Sequence, residues 1–144
     1  MNEAVLDASV VLKWFHSEGE DHAEAASELR RRFEAGDLRA LAPPLLWLEI
    51  LNIAARRWRW TAAQLEQLAA VLPELGFELI EPDLAGIARW AANGLTAYDA
   101  AYVAVAEQAG VQLVTADAEI VRTAPEFTLA LGVDQPSGGL SPSK

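Results

Sequence analysis

Short apolar runs alternate along the chain with longer segments in which apolar residues recur at helical spacing. In the segment 21–36, Ala25, Leu29 and Phe33 recur every four residues, which is typical of one face of an α-helix. Further helices are predicted for 45–58, 61–76, 83–94, 96–110 and about 118–123. The short runs are bounded by turn residues and are predicted to be strands, at 3–7, 38–42, 77–81, 111–115 and 127–131.

Local signals mark several helix ends. Asp21 and Glu24 have the spacing of a capping box, and Thr61 and Gln64 repeat that spacing at the start of another helix. Glycine, which often ends a helix, follows three of the predicted helices, at positions 36, 94 and 110. These signals support the predicted order of elements.

The fold class follows from that order. Strands separated by helices predict an α/β fold with a mainly parallel five-stranded sheet covered by helices on both faces, a three-layer α/β/α arrangement. The length of 144 residues suits one domain, which is assigned to residues 1–133. Residues 134–144 are rich in proline, glycine and serine and are predicted to be a disordered tail.

Composition excludes several classes of protein. No run reaches about 18 uninterrupted apolar residues, so no membrane span is expected. The N-terminus lacks the pattern of a signal peptide. The chain has no cysteine, which excludes disulfides, thiolate metal sites and a cysteine nucleophile and is compatible with a reducing cytosol. A cytoplasmic location is therefore expected.

The net charge of −10 narrows the choice of partner. It argues against a general nucleic-acid binder, which normally carries a basic surface. It permits an enzyme that holds metal ions with acidic side chains and lets the metal meet a phosphate. It also suggests a basic protein partner.

Four acids stand in surroundings that ordinary surface acids avoid. Asp7 and Asp117 come at or just beyond the carboxyl ends of two predicted strands, the edge at which parallel sheets bind ligands. Glu49 shares a predicted helix face with apolar neighbours, where an unpaired ionised carboxylate would cost several kcal/mol. Asp99 lies in the first turn of a helix with few other polar groups.

Each acid also has a local explanation. Asp7 could cap a helix that begins near Ser9, Asp117 could cap the short helix after it, and Asp99 has a capping-box spacing from Thr96. Glu49 is the hardest to explain in this way. Taken together, four converging carboxylates would raise one another's pKa values, and a bound divalent cation would remove that penalty. Mg²⁺ and Mn²⁺ prefer such oxygen ligands.

Four stretches, in this order, resemble PIN-domain ribonucleases, specifically the VapC toxins of type II toxin–antitoxin systems. They are "VLDASVVLKWF" (5–15), "LLWLEILNIAARR" (45–57), "LTAYDAAYVAVAEQAG" (95–110) and "LVTAD" (113–117), and the resemblance covers roughly residues 3–131. It implies a PIN-like fold and an endoribonuclease that hydrolyses RNA phosphodiester bonds with Mg²⁺ or Mn²⁺.

The resemblance also assigns roles to individual residues. It implies that catalysis and metal binding belong to Asp7, Glu49, Asp99 and Asp117. Supporting roles fall to Ser9, Thr115 and Asn52, and Glu119 stands where some members carry an additional acid. The implied partners are an RNA substrate, a cognate basic antitoxin and a second copy of the chain in a homodimer.

Three other interpretations stay open. A haloacid-dehalogenase-like phosphatase needs a second aspartate two residues after the first, where this chain has Ser9. A receiver-type signalling domain needs a lysine near the end of a late strand, and the only lysines are Lys13 and Lys144. A nuclease-dead PIN scaffold would bind partners only, although all four acids are present.

Two histidines and one basic aromatic cluster complete the candidates. His16 and His22 are interpreted as ordinary surface or core residues. The cluster "RRWRW" (56–60) is interpreted as a helix end whose Trp58 and Trp60 pack inward, or as a partner surface because tryptophan and arginine are enriched in hot spots.

Overall fold

A single parallel sheet organises the computed structural model, which describes residues 2–16, 19 and 21–132. Its strands are β1 (Glu3–Leu6), β2 (Arg39–Ala42), β3 (Glu78–Leu79), β4 (Gln112–Thr115) and β5 (Thr128–Ala130). Their spatial order is β3-β2-β1-β4-β5. The chain runs outward from β1 to β3 and then returns to the other side of β1, so the strand order reverses between β1 and β4. Ligands bind at such a switch point in open α/β sheets.

Seven α-helices flank the sheet within the described residues, and the predicted α/β class is confirmed. They are α1 (Ala8–Phe15), α2 (Ala23–Glu34), α3 (Leu45–Arg56), α4 (Ala62–Val71), α5 (Leu84–Ala92), α6 (Ala97–Ala109) and α7 (Ala118–Thr123). Helix α6 packs on β1, β4 and α5, while α1 packs on α2 and α3, and α3 packs on α4. No helix among the described residues is both long enough and apolar enough to cross a membrane.

The core is centred on the middle strands and on α6. Residues 4–6 of β1 are fully buried, as expected for a central strand that is covered on both faces. All residues from Ala100 to Ala106 of α6 are buried, because this helix lies against both the sheet and α5. Burial on every side explains why α6 is apolar all round and lacks a single apolar stripe.

Two predicted helix boundaries are wrong. Helix α2 is capped by His22 in the left-handed conformation (φ 60°) without a side-chain hydrogen bond, because Asp21 lies in the preceding turn. The predicted capping box of Asp21 and Glu24 therefore does not form. Helix α4 ends at Val71, five residues before the predicted end, because Pro73 lacks the amide donor of a continuing helix and the chain passes into a 3-10 turn.

Other local predictions are confirmed. The capping box of Thr61 and Gln64 forms in both directions, with N···O distances of 2.8 and 3.2 Å. Gly110 ends α6 in the left-handed conformation (φ 70°). Strand β3 is shorter than predicted, with both of its residues exposed at the sheet edge. The predicted disordered tail, residues 134–144, lies outside the described residues.

Candidate active site

A cleft of about 380 Å³ lies at the carboxyl ends of β1 and β4. The cleft is lined by all four acids that were predicted from the sequence: Asp7, Glu49, Asp99 and Asp117. Ser9 and Asn52 line it as well. Thr115, the remaining predicted residue, lies fully buried at the end of β4, where it contacts Ser9. The structure thus brings together residues that are up to 110 positions apart in the chain.

Asp7 is the most deeply placed acid, with 5% of its surface exposed. It caps α1, since its Oδ1 accepts hydrogen bonds from the Ser9 amide (3.1 Å) and the Ser9 hydroxyl (2.6 Å). Burial raises the pKa of Asp7 to about 6, and the charges of Glu49 and Asp99 add to the rise. Hydrogen bonds from Ser9 and Thr115 oppose it. Hydrogen bonds therefore hold the carboxylate in place, but burial still disfavours its charged form.

Two hydroxyl groups connect the ends of β1 and β4. The Ser9 hydroxyl accepts a hydrogen bond from the Ala116 amide (2.9 Å) and lies 3.4 Å from the Thr115 hydroxyl. The Thr115 hydroxyl in turn accepts from the Asp117 amide (3.0 Å). This chain of contacts fixes the position of Asp7 relative to Asp117.

Asp117 and Asp99 lie at the N-terminal ends of two helices. Asp117 caps α7, because its Oδ1 accepts from the amides of Glu119 (2.9 Å) and Ile120 (3.4 Å). The cap of α6 is Thr96, whose hydroxyl accepts from the Asp99 amide (3.0 Å). Partial burial raises the pKa of Asp99 and the charge of Asp117 raises it further, while a second, side-chain hydrogen bond between Thr96 and the Asp99 carboxylate opposes the rise.

Glu49 is held by a residue that the sequence reasoning missed. The hydroxyl of Tyr102 donates to Glu49 Oε1 at 2.6 Å, linking α6 to α3. Burial raises the pKa of Glu49 and the Asp99 charge adds to it, while the Tyr102 hydrogen bond lowers it. Burial and the Glu49 charge also raise the pKa of Tyr102, so its hydroxyl remains a donor. Tyr102 lies three positions after Asp99 in α6, a same-face spacing that could have identified it.

Basic and aromatic side chains line another part of the cleft. Lys13 and His16 from α1, and Arg57 and Trp58 from the end of α3, line the same cleft as the acids. Trp58 and Trp60 pack against the core, as one interpretation of the "RRWRW" cluster predicted. His16 was not predicted to lie in the site, and the one signal for it is that Ser9, Lys13 and His16 have the spacing of one helix face.

Comparison with known proteins decides the family. The family model described as "PIN domain" matches residues 4–125. This chain belongs to the PIN domain family. The PIN-domain family predicted from the four motifs is therefore confirmed, whereas the narrower VapC assignment stays a prediction. PIN domains are typically metal-dependent nucleases, which places this PIN domain among the hydrolases at a coarse level.

A solved structure supports the same fold. The crystal structure of PAE2754 from Pyrobaculum aerophilum superposes on this PIN domain with a TM-score of 0.64. The two chains are 25% identical, and the alignment covers 90% of each. No curated protein matches the chain.

PIN nucleases generally use divalent metal ions, and the acidic residues of the cleft are chemically suited to bind one. As the side chains lie, no three histidine, aspartate or glutamate residues within 2–16, 19 and 21–132 are arranged to hold a metal ion. The donor set nevertheless consists of carboxylate oxygens, which Mg²⁺ and Mn²⁺ prefer. Burial, with neighbouring acidic charges adding to it, raises the pKa values of Asp7, Glu49 and Asp99, and a bound cation would favour their charged forms. Adjustment of side chains around an ion is thus expected on binding.

Proposed function

We propose that this PIN domain is an endoribonuclease that hydrolyses RNA phosphodiester bonds with Mg²⁺ or Mn²⁺. We further propose that it is the cytoplasmic toxin of a VapC-like toxin–antitoxin pair. One observation carries the catalytic proposal: Asp7, Glu49, Asp99 and Asp117 line one cleft at the switch point of the sheet. Open α/β sheets bind ligands at this switch point, beyond the carboxyl ends of the strands.

The four carboxylates would hold the cation, and their neighbours position them. When bound, a divalent cation neutralises charge on the phosphate and makes water a better nucleophile. Ser9 and Thr115 fix the orientation of Asp7 through the hydrogen bonds at the ends of β1 and β4. Tyr102 holds one oxygen of Glu49, which leaves the other oxygen to face the ion or the attacking water. Asn52 is exposed on the cleft wall and offers an amide to the RNA.

The composition of the cleft explains how an acidic protein could meet RNA. The chain carries a net charge of −10, which repels a polyanion in general. Lys13 and Arg57 place positive charge on the wall of the acidic cleft. Phosphate groups are attracted by such side chains, and this attraction is independent of sequence. The four acids of the cleft outnumber these two basic residues, so RNA binding there would also depend on a bound cation that offsets the acids.

The toxin proposal includes a basic antitoxin and a homodimer. A mainly apolar groove of about 620 Å³ runs along α4, lined by residues that include Phe15, Trp60, Leu68 and Val71. An antitoxin segment with apolar anchors and basic residues would suit this groove and the acidic surface. The order of the four VapC-like motifs is the main support for this part of the proposal.

A cleavage assay with two substrates tests the catalytic proposal. Purified protein is incubated with labelled RNA and, separately, with a phosphomonoester, each in Mg²⁺ and in EDTA. RNA fragments are expected in Mg²⁺ only, with the phosphomonoester intact in both buffers. Hydrolysis of the phosphomonoester alone would favour a phosphatase, and RNA cleavage in excess EDTA would contradict metal dependence.

A further inference from the structure

Two aromatic rings are stacked at one wall of the cleft, and a third packs at an angle behind the inner one. The His16 ring lies nearly parallel to the Trp58 ring, with centroids 4.7 Å apart and planes at 17°. Trp58 also contacts Trp60, with centroids 5.3 Å apart and planes at 44°. We call these three residues the aromatic stack.

The inner part of the aromatic stack is firmly held. Trp58 and Trp60 are half-buried and pack against the core. Their amides donate to the Ile53 carbonyl (3.2 Å) and the Ala54 carbonyl (3.0 Å) of α3. Arg59 between them adopts the left-handed conformation (φ 59°), which few residues other than glycine adopt. This turn, just after α3, brings the two indole rings into contact.

The outer part of the aromatic stack is open to solvent. His16 is exposed and terminates α1, where its amide donates to the Leu12 carbonyl (3.0 Å). Helix α1 begins beside Asp7 and ends at His16, which separates the two by about 13 Å along the helix axis. The stack therefore flanks the acidic site and does not coincide with it.

We propose that the aromatic stack is a platform for one unpaired nucleobase of the RNA, next to the phosphate that is cleaved. This inference rests on the proposed endoribonuclease function. The base would stack on the exposed face of His16, while Lys13 and Arg57 contact the adjoining phosphates. Aromatic platforms bind bases of any sequence, and only unpaired bases are free to stack on a side chain. The platform would thus select single-stranded segments and set the position of the cut.

The charge around the aromatic stack favours RNA over a basic protein segment as its ligand. Lys13 and Arg57 line the cleft beside His16 and Trp58. They attract a ligand that is both aromatic and anionic, as a nucleotide is. They repel the basic side chains expected of an antitoxin, for which the apolar groove along α4 is proposed. Trp60 lines that groove, whereas His16 and Trp58 line the cleft.

Binding of a modified RNA tests the platform. The protein carries Asp99→Asn to prevent cleavage, and the probe is a short fluorescent single strand that spans a site cut by the wild type. A series of probes lacks one base at a time, each replaced by an abasic ribose. Fluorescence anisotropy in Mg²⁺ should show that one abasic position loses affinity by about tenfold or more.

Two substitutions at His16 assign that loss to the aromatic stack. His16→Ala should weaken binding of the intact probe about as much as the critical abasic position does, and it should not weaken binding of that abasic probe further. His16→Phe keeps a ring and should restore binding of the intact probe. Because His16 is exposed, both variants should fold, which circular dichroism checks.

The outcomes separate this inference from the proposed function. If the wild type cleaves RNA but His16→Ala binds the probes as the parent does, the platform is wrong and the nuclease stands. If His16→Ala instead weakens only antitoxin binding, the stack is a protein surface and the inference is overturned. If the wild type cleaves no RNA, the proposed function fails first and the platform falls with it.

Discussion

Two acidic residues of this PIN domain stabilise a helix end and also line the cleft. Asp7 and Asp117 each cap a helix through Oδ1, and both also line the cleft. A carboxylate has two oxygens with about four acceptor positions, so a cap does not exhaust its capacity for a cation. The capping and the metal-binding interpretations of the sequence were therefore not alternatives.

Residues whose role depends on a distant partner are harder to predict than the acids, even where they share a helix face with one, as Tyr102 does with Asp99. The four acids could be found from the chain because each stands out among apolar neighbours. Tyr102 reads as one more core residue of an apolar helix until the fold brings Glu49 within 2.6 Å. His16 likewise gains its neighbours from the contact between α1 and the end of α3.

Removal of the Tyr102 hydroxyl tests its positioning role. Tyr102→Phe keeps the ring in the core but removes the donor to Glu49, so the pKa of Glu49 should rise and its orientation should loosen. Loss of such outer partners typically costs about 10- to 100-fold in metal affinity or activity. Mg²⁺ titration of cleavage should show a higher metal requirement, and an unchanged requirement would contradict the role.

Elements were predictable where local signals agree with tertiary context. The alternation of strands and helices gave all five strands and their parallel class, because central strands such as β1 are apolar throughout. The sequence missed the early end of α4, although Pro73 was visible, and misplaced the cap of α2. Strand order was not readable, because pairing between distant segments is a tertiary property.

The cap of α6 offers an element-level test with a matched control. Thr96→Ala removes the acceptor for the Asp99 amide and should cost about 1 kcal/mol of stability. It should also raise the pKa of Asp99 further, since the hydrogen bond with Thr96 opposes that rise. Thr61→Ala removes the cap of α4, outside the cleft, at a similar cost. Urea unfolding and cleavage assays should show equal destabilisation but reduced activity only for Thr96→Ala.

Equal activity of these two variants would contradict the inferred link between the α6 cap and the site. It would mean that Asp99 keeps its position without Thr96.

The whole molecule should be less stable without metal as the pH rises. The pKa of Asp7 is about 6 in the folded chain, against an ordinary value of 3.8 that applies to the unfolded chain. Between these two pH values the folded chain therefore binds more protons than the unfolded chain. The free energy of unfolding should therefore fall from about pH 4 to about pH 6, by about 3 kcal/mol from this residue. Denaturation in EDTA at several pH values measures it, and a rise over that range would contradict the assignment.

Neutralising one acid should relieve the same conflict. Asp99→Asn removes a charge that raises the pKa values of both Asp7 and Glu49. The variant should melt at a higher temperature than the parent in EDTA, although it is inactive. Mg²⁺ should stabilise the parent more than the variant, because binding to the folded state favours that state. A variant that melts well below the parent in EDTA would show that Asp99 is chiefly structural.

The proposed antitoxin should bind along α4. Val71 is 45% exposed in the apolar groove, so Val71→Lys should repel a basic segment and weaken its binding by about tenfold or more. Leu84→Lys places the same charge at an exposed position of α5 and should leave binding unchanged. Titration calorimetry with the cognate partner compares the two variants, and equal effects would place the partner elsewhere. Light scattering of the free chain tests the proposed homodimer.

A cleavage assay with three variants decides whether the four distant acids form one metal-dependent nuclease site. Labelled RNA is incubated in Mg²⁺ with the parent, with Asp7→Asn, with Asp99→Asn and with Asp37→Asn, an exposed acid outside the cleft. Both cleft variants should lose activity by orders of magnitude while remaining folded, and Asp37→Asn should cleave like the parent. Full activity of either cleft variant would contradict the proposed nuclease site.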